Sequence, residues 1–293
     1  MRNKSNMILH PAIVKKQSFI CLPDSIVKFI VLLLIISSTA FASTGDSLIE
    51  LAKKHDIKRY EYAVEKGAEF INTNDGRSFY ILWKPAGFDT MSVRPVLATI
   101  HGHGSFATDE FYLWFEHCRK RNLAIIALQW YFGGDESNSN YYRANELYPV
   151  FENVLRSENI KPGMCLFHGF SRGSANTYAV AAFDTHSGNR YFGMIISNSG
   201  SAEDDYPVNK DITGGKFGTM PYSSTHWVLY CGRLDDNIHS DCSAMERTEK
   251  WIASLGGSIE LFIKDDTGNH GGFHMNKKNT ELALNKFFEL AIK

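Results

Sequence analysis

The sequence predicts an α/β protein with a mostly parallel central sheet and helices on both faces. Apolar runs of strand length alternate along the chain with segments of helical periodicity. Most of these runs are apolar throughout, as expected for strands that are covered on both sides. The chain has 293 residues, of which 44% are hydrophobic, with 31 Lys and Arg against 32 Asp and Glu. This is an ordinary globular composition without the basic excess of a nucleic-acid-binding face.

The elements follow one another in a regular order. We predict helices near residues 46–56, 107–121, 145–158, 174–184, 242–255 and 279–292. We predict strands over residues 79–83, 96–100, 123–128, 164–167, 192–196, 227–230 and 259–263. No repeat, low-complexity tract or Pro/Gly/Ser linker separates them, so we expect one domain.

Residues 1–42 have the layout of a secretory signal peptide. Basic residues precede the apolar run 29–36, and the segment ends in Ala40-Phe41-Ala42, an A-x-A cleavage pattern. A membrane anchor is the alternative, but the apolar segment is shorter than the roughly 20 residues that span a bilayer. We therefore predict cleavage after Ala42, an α/β domain over residues 43–293, and a secreted or periplasmic location.

Four cysteines remain after removal of that segment: Cys118, Cys165, Cys231 and Cys242. An even number suits an oxidising compartment, and three pairings are possible. We predict a disulfide between Cys231 and Cys242 because they bracket one short loop. Four free thiols are the alternative, since cysteines in strands are often small buried hydrophobes.

The first motif with chemical content follows strand 164–167. His168–Gly173 reads H-G-F-S-R-G, contains G-x-S-x-G and leads directly into a helical pattern. In parallel sheets functional groups collect at the carboxyl ends of the strands. Glycines two positions either side of a serine suit a strained strand-to-helix turn that exposes the hydroxyl. The pattern predicts Ser171 as a nucleophile, with a plain turn serine as the alternative.

The second motif, His101-Gly102-His103-Gly104, follows strand 96–100. Two glycines at a turn allow backbone N–H groups to point into a cavity, as stabilisation of an oxyanion requires. A metal site is the competing interpretation of His101 and His103. No matching cluster of Cys, His or carboxylate lies nearby in the sequence, so we expect neither a metal nor an organic cofactor.

Two further turns supply an acid and then an imidazole. Gly232–Asp236 follows strand 227–230, and Gly268–Gly272 follows strand 259–263. With these turns the sequence resembles the α/β-hydrolase superfamily, whose members carry the serine turn, an H-G-x-G loop and a triad in the order Ser, Asp, His. The resemblance covers essentially all of the chain after residue 42.

The resemblance implies a role for each matching residue. Ser171 would be the nucleophile, His270 the general base and Asp235 the group that orients the imidazole. The oxyanion would be bound by the backbone N–H groups of Arg172 and His103. No cofactor is implied.

Several alternatives stay open from the sequence. Asp236 competes with its neighbour for the role of the acid, and His274 competes for the role of the base. His168 is expected to pack behind the serine turn. The Arg172 guanidinium is expected to form a structural ion pair, for example with Glu246, or to meet an anionic group of a substrate.

The segment between strands 192–196 and 227–230 is short and includes the Gly/Ser/Asp-rich stretch 199–205. It predicts a minimal cap, and the resulting open cleft suits a bulky or polymeric ester.

Within the α/β-hydrolase superfamily, the sequence resembles exported esterases of the feruloyl-esterase and polyhydroxybutyrate-depolymerase kind. We therefore predict a serine hydrolase of carboxylic esters. A serine peptidase of the same fold and a non-catalytic binding protein of that fold are the alternatives, and the oligomeric state stays open.

Overall fold

The computed structural model describes residues 44–135 and 137–291. The predicted signal peptide, residues 1–42, lies outside these ranges. Among the described residues, no helix has both the length and the apolar character needed to cross a membrane.

Eight strands form one sheet at the centre of the domain. They are β1 Glu69–Asn72, β2 Phe79–Trp83, β3 Val96–Ile100, β4 Ala124–Leu128, β5 Cys165–Phe170, β6 Phe192–Asn198, β7 His226–Gly232 and β8 Ser258–Asp265. Their order across the sheet is β1-β2-β4-β3-β5-β6-β7-β8. β2 pairs antiparallel with both β1 and β4, and the remaining pairs are parallel. The predicted α/β class with a mostly parallel sheet is confirmed.

Nine α-helices precede, connect or follow the strands among the described residues. They are α1 Thr44–His55, α2 Ile57–Glu65, α3 Ala107–Arg119, α4 Ala144–Ser157, α5 Arg172–Ser187, α6 Pro207–Thr213, α7 Cys242–Ser254, α8 Gly272–Met275 and α9 Lys277–Ala291. Short 3₁₀ turns lie at Phe88–Thr90 and Asn138–Asn140.

The burial of the interior strands explains why continuous apolar runs predicted them. Every residue of β3 and β4 is buried, because both faces of a parallel sheet are covered by helices. Burial of each large aliphatic side chain, such as Leu97 or Ile125, contributes about 1.5–3 kcal/mol. The continuous apolar runs therefore predicted these strands correctly.

Four elements were missed, and each is short or poorly buried. β1 is a half-exposed edge strand. α2 buries only Ala63, and Asp56, the residue before its first turn, caps it by accepting the backbone N–H groups of Lys58 and Arg59. α6 and α8 have seven and four residues. Hydrophobic periodicity gives no signal over such lengths.

Asp184 fastens the end of α5 to the start of β6. Its carboxylate accepts the backbone N–H groups of Tyr191 (3.1 Å) and Phe192 (3.0 Å) and the hydroxyl of Tyr148 (3.2 Å). Burial raises the pKa of Asp184 to about 6, although these hydrogen bonds act in the opposite direction. The ionised form is therefore costly in the folded protein.

We expect Asp184 to make the protein less stable as the pH rises from about 4.5 to 7. The folded state keeps the proton up to about pH 6, whereas an unfolded aspartate releases it near pH 4. Between these values the folded state binds more protons, so the free energy of unfolding falls with pH, by about 2 kcal/mol for this group.

Urea denaturation at pH 4.5 and 7 measures this change. Asp184→Asn should lack it, whereas Asp204→Asn, which removes an exposed carboxylate, should retain it. Equal pH dependence of the wild type and Asp184→Asn would contradict the assignment.

Candidate active site

Ser171 occupies a strained turn between β5 and α5. Its backbone angles are φ 53° and ψ −117°, a region that non-glycine residues rarely adopt. A Cβ added to Gly169 would lie 2.5 Å from the carbonyl oxygen of Gly173, and one added to Gly173 would lie 2.6 Å from that of Ile100. The two glycines of the G-x-S-x-G motif are therefore required by close backbone packing.

The serine hydroxyl belongs to a continuous hydrogen-bonded chain. Ser171 Oγ lies 2.8 Å from His270 Nε2, and His270 Nδ1 lies 2.7 Å from Asp235 Oδ2. In the neutral imidazole, Nδ1–H donates to the carboxylate and Nε2 accepts the serine hydroxyl. The structure thus brings together the three residues that the sequence order Ser, Asp, His singled out.

The acid is held in a small polar loop. The Asp235 side chain is 3% exposed, and its carboxylate accepts the Ser240 hydroxyl (2.8 Å) and the backbone N–H of Asn237 (3.1 Å). Ser240 Oγ also lies 3.1 Å from His270 Nδ1. Sequence reasoning missed Ser240, because no motif marks a serine five residues after the acid. Asp236, the alternative acid, is exposed.

A disulfide closes the same loop. Cys231 at the end of β7 is bonded to Cys242 at the start of α7, with Cα atoms 5.1 Å apart, so the predicted pairing is confirmed. Cys118 and Cys165 are buried free thiols. The crosslink restricts the segment that carries the acid.

His274, the alternative base, lies in the core instead of at the serine. Its ring packs edge-on against Trp114, with ring centroids 4.8 Å apart, and it also contacts His168. Burial lowers the pKa of His274 to about 3. The structure thus places His270, and not His274, against Ser171, and it places His168 behind the serine turn as expected.

The His101–Gly104 turn packs directly against the serine turn. A Cβ on Gly102 would lie 3.4 Å from Ser171 Cβ and 2.9 Å from the ring of Phe170. The Gly104 N–H donates to the Tyr141 hydroxyl (2.9 Å). The backbone of this turn therefore approaches the serine closely at Gly102, one of the two glycines of the predicted motif.

The two histidines of that turn have different surroundings. His101 is fully buried, its Nδ1–H donates to the Gly102 carbonyl (2.8 Å), and burial lowers its pKa to about 4. His103 is exposed. The geometry gives no support to a metal site shared by this pair.

Arg172 extends over the cleft beside the serine. Its guanidinium stacks on the Tyr141 ring at 3.9 Å, lies 3.0 Å from His103 Nδ1 and donates to the Asn138 side chain. The pairing with Glu246 suggested by the sequence is wrong, since Glu246 bonds to Lys264 on the adjacent strand β8 (2.8 Å). Arg172 therefore fixes the wall of the cleft.

A cleft of about 960 Å³ lies next to Arg172, and its lining does not include Ser171 or His270 themselves. Aromatic side chains, including Trp130, Tyr141 and Tyr206, form part of its lining, together with Arg172 and amide and hydroxyl groups. Part of one side comes from the cap segment, whose seven-residue helix α6 is its only α-helix among the described residues. The cap segment is therefore short, as predicted.

No protein-family model matches the chain, and no curated protein sequence matches it. Solved structures do. A thermophilic esterase of the planctomycete Thermogutta terrifontis matches with a TM-score of 0.55 and 13% identity, over 76% of this chain and 91% of that one. An esterase of Pyrococcus furiosus matches with a TM-score of 0.51 and 14% identity, over 77% and 92%.

A carboxylesterase of Bacillus cereus is also similar, with a TM-score of 0.51 and 11% identity over 72% of this chain and 93% of that one. At this level of identity the likeness concerns the fold. Together with the strand order and the serine turn, it shows that the chain has the α/β-hydrolase fold.

We expect Gly173→Ala to destabilise the fold strongly. The new methyl group would overlap the carbonyl oxygens of Ile100 and His101, which are backbone atoms with little freedom to move. The free energy of unfolding should fall by about 2–4 kcal/mol in urea denaturation.

Gly271→Ala is the matched control, because its added Cβ would meet nothing nearer than 3.9 Å and its φ is −91°. Equal stability of the two variants would contradict the proposed close packing.

Proposed function

We propose that the protein is a serine hydrolase that cleaves carboxylic esters through an acyl-enzyme intermediate. The observation that carries this proposal is the continuous chain of short hydrogen bonds from Ser171 through His270 to Asp235. A serine hydroxyl is a weak nucleophile unless an adjacent base removes its proton, and this arrangement provides that base.

The reaction follows from the geometry. Ser171 Oγ attacks the ester carbonyl while His270 Nε2 takes the hydroxyl proton, and Asp235 stabilises the imidazolium that forms. The tetrahedral intermediate collapses, the ester C–O bond breaks, and His270 gives its proton to the departing alcohol. Water then attacks the acyl-enzyme with His270 again as the base, which releases the acid and restores Ser171.

The negative charge of the tetrahedral intermediate needs hydrogen-bond donors. Arg172 is the first residue of the 16-residue helix α5, and the amino end of a helix favours negative charge. The turn that contains Gly102 and His103 packs against Ser171, since a Cβ on Gly102 would lie 3.4 Å from Ser171 Cβ. We assign the second donor to this turn, with His103 as predicted, and each donor should lower the barrier by about 3 kcal/mol.

The comparisons and the cleft support an ester as the substrate. A structural neighbour with a TM-score of 0.55 and 14% identity is esterase 2 of Thermogutta terrifontis phosphonylated by sarin. That neighbour is an esterase that has reacted with an organophosphonate. The wide cleft of this chain, with its short cap, suits a bulky or polymeric ester of the kind cleaved by feruloyl esterases.

Fluorophosphonate labelling of the purified protein tests the activated serine without knowledge of the natural substrate. The wild type should be labelled, and Ser171→Ala should not be. His270→Ala should label at least about 10³ times more slowly, because the hydroxyl then lacks its base. Labelling of Ser171→Ala at the wild-type rate would refute the role of this serine.

Turnover of p-nitrophenyl esters then tests the acid. Asp235→Asn should lower kcat by roughly 10⁴-fold, because the imidazole loses the partner that holds its tautomer. Asp236→Asn is the matched control, since it makes the same change at the neighbouring exposed residue, and its kcat should stay within about twofold of the wild type. Equal losses in the two variants would contradict the assignment.

We also propose that the protein is exported. The pattern of residues 1–42 predicts a cleavable signal peptide, and a disulfide around the acid loop suits an oxidising compartment. Mass spectrometry of the protein from the periplasm or medium of a bacterial host should find an N-terminus at Ser43. Full-length protein confined to the cytoplasm would contradict export.

A further inference from the structure

A second cluster of chemically active side chains lies in the core beneath the serine turn. Glu110 comes from α3, His168 from β5 and His274 from α8. One ligand atom from each residue lies within 4.8 Å of the other two. Glu110 is 2% exposed, His168 is fully buried, and both ring nitrogens of His274 are buried. The proposed ester chemistry uses none of the three.

The contacts around His168 Nδ1 leave the neighbouring Glu110 carboxylate without a clear positive partner. Trp114 Nε1–H donates to this nitrogen at 3.3 Å, so the nitrogen presents a lone pair. A carboxylate oxygen of Glu110 lies only 3.2 Å from it. The Thr99 hydroxyl is 2.7 Å from the same oxygen and 2.8 Å from Nδ1, but it has a single proton to give. A lone pair and a carboxylate this close repel each other unless a proton or a cation lies between them.

A proton on His168 would satisfy Glu110 but would leave His274 unexplained. Neither ring nitrogen of His274 has a hydrogen-bond partner among the described residues. Burying a polar group without a partner costs about 1–3 kcal/mol. The ring is instead surrounded by Trp114, His168 and Phe273, with centroid distances of 4.8, 5.4 and 5.1 Å.

We propose that Glu110, His168 and His274 bind one divalent transition-metal ion of the zinc class. Two imidazole nitrogens and one carboxylate oxygen are a ligand set typical of Zn²⁺, whereas Mg²⁺ and Ca²⁺ prefer oxygen ligands alone. Ligands of a tetrahedral zinc ion lie about 3.3 Å apart, close to the 3.2 Å that separates Glu110 from His168. The Thr99 hydroxyl lies 2.7 Å from the Glu110 oxygen and 2.8 Å from His168 Nδ1.

The position of this site in the chain gives it a structural role. His168 precedes Ser171 by three residues on the same strand end, and His274 follows His270 by four. An ion bound to both histidines ties the turn that carries the nucleophile to the loop that carries the base. The metal site is thus a positioning site, and the ion takes no part in the ester cleavage proposed above.

Metal analysis of the full-length mature protein tests the proposal. Protein stripped with a chelator and titrated with Zn²⁺ alone should bind one ion per chain, and its midpoint of thermal unfolding should rise by several degrees. Co²⁺ in place of Zn²⁺ should give the visible absorption bands of a nitrogen- and oxygen-liganded ion. Folded wild type that binds no Zn²⁺ at micromolar concentration, by elemental analysis after dialysis, would overturn the site.

His274→Phe is the decisive variant, because it keeps the aromatic packing and removes both nitrogens. Its zinc affinity should fall at least about tenfold, since even loss of a residue that only supports a ligand has that effect. His186→Phe, at an exposed position of α5, controls for weak binding by surface histidines and should leave affinity unchanged. Zinc affinity in His274→Phe equal to that of the wild type would overturn the assignment.

Glu110→Gln, of nearly the same volume, gives a second variant that should also lose the ion. The zinc titration, the cobalt spectrum and the zinc affinities of the variants do not depend on catalysis. A protein that binds zinc but hydrolyses no ester would therefore uphold this site while contradicting the function proposed above.

Discussion

The close packing of backbone at the serine turn is the constraint on which the rest of the structure depends. Ser171 adopts an unfavourable backbone conformation, which costs of order 1–3 kcal/mol. It persists because β5 ends between β3 and β6, with Gly169 against the carbonyl of Gly173 and Gly173 against the end of β3. The strain exposes one hydroxyl at the carboxyl edge of the sheet, where the loops that follow β7 and β8 also end.

Those two loops hold the Asp235 carboxylate and the His270 imidazole in place although neither residue lies in a strand. The loop after β7 is closed at its base by the Cys231–Cys242 disulfide and inside by hydrogen bonds from Ser240 and Asn237 to the acid. The loop after β8 begins at Asp265, which is anchored by the Asn279 side chain of α9 (2.8 Å). Separate local restraints therefore set the acid–base distance of 2.7 Å.

The sequence was informative where residue type and backbone geometry are tied together. Glycines at 169 and 173 have no substitute under that packing, so the motif predicted the serine turn. The resemblance to the α/β-hydrolase superfamily then singled out Asp235 and His270, with Asp236 and His274 as alternatives. The partners of those groups were not predictable. Ser240 reaches Asp235 only through the path of the loop between Gly232 and Cys242, and Arg172 meets Tyr141 through the packing of two separate segments. Neither contact has a sequence pattern of its own.

The ends of the strands were misjudged for a related reason. β5 and β6 continue through residues that look like loop residues, among them His168, Ser197 and Asn198, all of which are buried. Polar groups are stable inside a sheet only when they bond to one another, and here the Tyr178 and Ser174 hydroxyls bond to Ser197 while Asn198 contacts His168. A polar layer thus lies directly under the carboxyl edge of the sheet. It bonds to the serine turn through the Asn198 carbonyl, which accepts the backbone N–H of Ser171 (2.8 Å).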